Sequence, residues 1–63
     1  MKNRIKDLRK DFGLTQEDLA QRVQVSRQTI ISLERGRYDP SIFLAYKIAR
    51  TFEKKIEEIF IFE

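Results

Sequence analysis

Only two residues, Gln24 and Val25, separate the end of one helical pattern from the capping serine of the next. The first pattern is the apolar stripe Leu19, Ala20 and Val23; the second opens at Ser26 and turns Ile30 and Leu33 inward. So short a joint cannot form a loose hairpin. It forces a sharp angle between the helices and holds one helix end out from the body of the domain.

The rest of the chain fits around that pair. Ile5, Leu8 and Phe12 form the buried stripe of a first helix that stops at Gly13. Thr15 caps the second helix, with Asp18 three residues on and Glu17 in its positive first turn. The spacing predicts the second helix over about 15–23 and the third over about 26–35, ending at Gly36. Pro40 makes "RYDP" a turn. Ser41 caps a fourth helix whose broad face is Ile42, Leu44, Ala45, Ile48, Ala49 and Phe52. Phe43 falls off that face and, with Tyr38, is expected to be exposed. Ile56, Ile59 and Phe60 mark a short fifth helix, and the tail "IFIFE" is apolar and β-prone. The expectation is one all-α, five-helix domain over residues 1–63, with at most a short C-terminal β-strand.

Composition removes whole classes of function. With no cysteine and no histidine, disulfides, thiolate or imidazole metal sites and Cys/His or Ser/His nucleophiles are excluded. Adjacent acids such as Glu57 and Glu58, or Glu17 and Asp18, diverge on a helix and form no catalytic pair. We therefore expect no enzyme, no metal, no cofactor and no small-molecule ligand. No apolar run approaches the roughly 20 residues of a membrane span, and no export signal is read, so a cytoplasmic protein is expected. Residues 1–37 hold nine Lys/Arg against five Asp/Glu, and residues 38–63 hold four against five. A basic first part suits a polyanion; it is equally ordinary solubility charge.

The third helix sharpens the choice. At about 100° per residue, Gln28, Ser32 and Arg35 lie about 180° from the inward side set by Ile30 and Leu33. Ile31 sits on the shoulder and Arg27 at the N-terminal end. No acid stands on that free side. Glutamine can bond adenine N6 and N7, arginine can fork onto guanine O6 and N7, and a branched aliphatic can pack on a thymine methyl.

The run "LTQEDLAQRVQVSRQTIISLERGRYDPS", continued by "LAYKIARTFEKKIEEIF", resembles the lambda-repressor-like (Xre- or Cro-type) helix-turn-helix regulators. The resemblance implies double-stranded DNA as partner. It implies base contacts from Arg27, Gln28 and Ser32, with Ile31 beside them, and phosphate contacts from Gln16, Thr29, Arg35, Arg37, Tyr38 and Ser41. Gln16 would also brace the first side chain of the third helix. A structural ion pair between Arg9 and Glu34 is implied as well. The chain departs from the family pattern at two places: Gln24 stands where the bend usually has glycine, and Glu53-Lys54-Lys55 replaces the usual approach to the fifth helix.

One such module touches too few base pairs for regulatory specificity, and two copies about one DNA turn apart supply it. A homodimer is therefore expected, with Ile59, Phe60, Ile61 and Phe62 as its surface. A tail folded back as a strand against residues 1–2 is the competing arrangement. The functional expectation is a repressor acting on a palindromic operator, with no separate sensor domain. An antitoxin or restriction-controller autoregulator, and an adaptor that kept the fold without binding DNA, stand as alternatives.

Overall fold

The computed structural model describes residues 1–62; Glu63, the last residue of the tail, lies outside them. Five helices follow in order: α1 Ile5–Asp11, α2 Gln16–Val23, α3 Arg27–Glu34, α4 Ile42–Phe52 and α5 Ile56–Ile59. The capping chemistry sets their starts. The hydroxyls of Thr15, Ser26 and Ser41 accept from the backbone N–H of Asp18, Thr29 and Leu44, each satisfying an orphan donor of its helix.

The first four helices end alike. Each closes with a left-handed residue whose own N–H and the next N–H fold back on the last turn, the Schellman arrangement. Gly13 (φ 68°) and Gly36 (φ 74°) supply that residue after α1 and α3. After α2 and α4 it is Gln24 (φ 61°) and Glu53 (φ 54°). The return bonds are Leu14 N to Arg9 O at 2.9 Å, and 3.0 Å for Val25 N to Ala20 O, Arg37 N to Ser32 O and Lys54 N to Ala49 O. At the α2–α3 bend a glutamine therefore holds the left-handed conformation that glycine adopts without strain. A side chain there costs roughly 1 kcal/mol relative to glycine.

One core joins the helices. Ile5, Leu19, Ala20, Val23, Ile30, Leu33, Leu44, Ala45, Ile48, Ala49, Phe52, Ile59 and Phe60 are buried, drawn from every helix and the start of the tail. Leu8 packs against this core half-buried, and two residues expected inside are exposed. Phe12 caps α1 at φ −90°, ψ 0°, leaves the helical line and is 46% exposed, meeting Phe52 edge-on with centroids 5.3 Å apart. Ile42 opens α4 before any neighbouring element can cover it and is 75% exposed.

The tail corrects the expected dimer surface. Ile59 and Phe60 are 0% and 1% exposed within the single chain, so they belong first to its own core and not to an open partner surface. The strand reduces to one antiparallel bridge, Asn3 with Phe60. Arg4 N donates to Ile59 O at 2.8 Å and Ile61 N to Lys2 O at 2.9 Å, so the chain ends pair with each other. Ile61 is half-buried by this fold-back, and Phe62 remains 64% exposed.

Candidate nucleic-acid interface

The α2–α3 pair meets at the Gln24–Val25 joint, and α3 buries only Ile30 and Leu33. Its other side is open. Arg27, Gln28 and Arg35 are exposed, while Ile31 and Ser32 are half-buried at the margin. The side chains expected to meet base edges thus share one outward surface, with no carboxylate among them. Thr29 is more enclosed: its Oγ1 lies 3.0 Å from Ser26 Oγ, so the cap and Thr29 share a hydrogen bond.

Behind this surface sits a polar junction of three helices. Arg9 Nε of α1 donates to Glu34 Oε2 of α3 at 2.8 Å, and Arg9 Nη2 donates to Glu34 Oε1 at 3.4 Å. Arg9 Nη1 donates to the carbonyl of Leu14, in the α1–α2 connection, at 2.9 Å. Gln16 Nε2 of α2 donates to Glu34 Oε1 at 3.2 Å. The two charged side chains are only 13% and 7% exposed, so Glu34 is a shielded acceptor for donors from both neighbouring helices. The Gln16 amide nitrogen is directed at Glu34 rather than at Arg27. Its oxygen is left for other contacts, and Gln16 and Arg27 still line one shallow depression with Arg9, Gly13, Leu14, Thr15 and the acid Glu17.

Around that depression the start of α2 is tightly organised. Thr15 and Asp18 form a reciprocal capping box: Thr15 N donates to Asp18 Oδ2 at 2.9 Å and Asp18 N to Thr15 Oγ1 at 3.0 Å. The backbone N–H of Thr15, then its hydroxyl, and more weakly the charge of Arg22 hold the Asp18 carboxyl below the usual carboxylate range. The box fixes the first turn of α2, where Glu17 and Asp18 already meet the positive helix end.

On the far side of α3, Arg37, Tyr38 and Ser41 line the turn into α4 and are exposed. The Ser41 hydroxyl accepts from Leu44 N at 3.1 Å, so it serves α4 first. Two features of the region were not legible in the residues. Ile42 and Tyr46, 75% and 54% exposed, join Phe43, whose exposure is expected and is 76%, on the solvent side of α4. The end of α3 is held by residues 1–3, contacts that no local pattern announces.

Comparison with known proteins agrees with this geometry. A helix-turn-helix family model matches residues 5–59. The chain is 60% identical over 63 residues to an uncharacterised HTH-type transcriptional regulator of Archaeoglobus fulgidus, covering all of this chain and 89% of the relative. A similar regulator of Methanocaldococcus jannaschii is also 60% identical, with 96% of its length covered. Among solved structures, the restriction-modification controller protein C.AhdI from Aeromonas hydrophila superposes with a TM-score of 0.81 at 32% identity, covering 90% of this chain and 86% of that one. With a capped α2–α3 pair on a five-helix core and a matching family model over most of its length, the chain belongs to the lambda-repressor-like helix-turn-helix family of DNA-binding transcriptional regulators.

Proposed function

We propose that this chain is a non-enzymatic, cytoplasmic repressor that places α3 in the major groove of a palindromic operator as a homodimer. The observation that carries the reading is the outward surface of α3, on which Arg27, Gln28, Ile31 and Ser32 stand together without an acid. Arg27 and Gln28, on the first turn, meet base edges; Ser32 reads one turn further on, and Ile31 packs against a thymine methyl. Gln16, through the second N–H of its Nε2, and Thr29, Arg35, Arg37, Tyr38 and Ser41 grip phosphates on either side. These contacts fix register but carry no sequence information.

Dimerisation uses the hydrophobic surface that the single chain leaves open. Phe62 and Ile42 border a groove completed by Met1, Pro40, Ala45, Ile56 and the edge of Phe60. Phe43 and Tyr46 extend it along α4. Four large apolar side chains this exposed on a 63-residue chain favour a partner. Occupancy of the operator would block transcription without further chemistry. The likeness to C.AhdI favours, as a second reading, a controller that occupies its own promoter.

Selection from random duplexes tests the proposal. The expected product is a palindrome whose half-sites lie about one helical turn apart, roughly 34–36 Å. An unenriched pool would contradict DNA reading, and a non-symmetric motif would contradict the two-fold arrangement. Affinity should also fall steeply with salt, by about one ion per phosphate contact. A flat salt response would favour the adaptor.

A further inference from the structure

We infer that Asn3 is a positioning residue for the reading helix: its carboxamide ties the end of α3 to the paired chain ends and so sets where Ser32 and Arg35 stand. This rests on the proposed reading surface of α3.

The second half of α3 is held at three polar points: Glu34 in its junction with Arg9 and Gln16, the Gly36 carbonyl by Met1 N at 2.9 Å, and the Leu33 carbonyl by Asn3. Ile30 and Leu33 anchor it in the core, and of the three polar ties the Asn3 bond is the one made to the backbone of the helix itself, next to Ser32. Its N-terminal end is fixed by the α2 joint and the Ser26 cap. Its C-terminal end has a specific partner. Asn3 Nδ2 donates to the Leu33 carbonyl at 2.7 Å, across 30 residues of sequence. The same nitrogen donates to Met1 O at 3.2 Å, and Asn3 Oδ1 accepts from Ile5 N at 3.1 Å, capping α1 where Arg4 makes no side-chain cap. The Asn3 backbone pairs with Phe60 in the antiparallel bridge. One residue therefore joins the α1 start, the α3 end and the C-terminal segment.

The geometry calls for an amide. Two donors and one acceptor in one short planar group satisfy all three partners, whereas aspartate keeps the acceptor and loses both donors. Leu33 lies beside Ser32 on the chain and two residues before Arg35. A recognition group must be held to about 0.5 Å, so a shift of the Leu33 carbonyl is passed to the reading side chains.

The aspartate difference provides the test. Asn3→Asp keeps the cap on Ile5 N but removes the tie to Leu33 and sets a carboxylate against that carbonyl. The measurement compares affinity for a duplex enriched by the wild-type protein with affinity for the unselected random pool, at a temperature where the variant is fully folded. The expected result is a roughly tenfold drop in the ratio of the two affinities, with pool binding within about twofold of wild type. An unchanged ratio in a folded Asn3→Asp protein would overturn the inference. Should the variant not fold, exchange of the Asn3 carboxamide protons in the wild-type protein decides. Slow exchange, matching the core amides, supports the tie, and exchange at the free-amide rate overturns it. Wild-type protein that enriches no duplex would count against the proposed function, while the carboxamide exchange would still judge the tie.

Discussion

Glu34 accepts from Arg9 and Gln16 in a site where all three partners come from different helices, and its side chain is 7% exposed. Removing it leaves a guanidinium and an amide without their shared acceptor. Glu34→Ala should therefore cost about 3–5 kcal/mol, most of the stability of a domain this size, and thermal melting by circular dichroism should show the transition fall by tens of degrees. A melting curve like the wild type's would mean the junction contributes little. Gln24 and Glu53 make the opposite case. Both hold left-handed backbone without being glycine. Gln24→Gly and Glu53→Gly should each stabilise the chain by about 0.5–1 kcal/mol, visible as a higher denaturation midpoint at unchanged slope. The Gln24 side chain accepts from Lys47 Nζ at 3.2 Å, but this bond is exposed and its loss is a small offset.

At the scale of elements, helix positions follow from caps that can be read directly. Thr15, Ser26 and Ser41 each stand one residue before a helix, and Gly13 and Gly36 stand just past one. The free side of α3 is equally legible, because Ile30 and Leu33 fix the helical phase. What escapes local pattern is set by distant partners or by their absence. Asn3 reads as an unremarkable polar residue until Leu33 is beside it. Ile42 continues an apolar stripe into a first turn that the described residues leave 75% exposed, and the apolar tail looks like a partner surface although half of it closes its own core. The capping box of α2 gives a prediction at this scale. The Asp18 carboxyl has its pKa lowered by folding, so its contribution is complete above the ordinary aspartate range and is lost as pH falls through the lower, folded value. Wild type should melt above Asp18→Asn near neutral pH, and the gap should close in acid. A gap that stays constant with pH would contradict this role.

For the whole molecule, size sets the architecture of recognition. The Cα trace measures 28 × 21 × 19 Å, shorter than the distance between successive major-groove faces of a duplex, about 34 Å. On the proposed reading, one copy therefore covers a single half-site. The second copy is expected on the surface of Ile42, Phe43, Tyr46 and Phe62. Phe62→Glu should shift sedimentation toward the monomer while leaving the melting transition of the folded chain near that of wild type, since Phe62 is 64% exposed. An unchanged sedimentation profile would move the contact elsewhere.

The most direct measurement is the binding of Gln28→Ala to every single-base variant of the selected half-site. If α3 reads base edges, the substitution costs about 1–3 kcal/mol on the selected sequence and relaxes preference at one symmetric pair of positions, leaving the others unchanged. An equal loss at every position, or no loss at any, would contradict the placement of this helix in the groove.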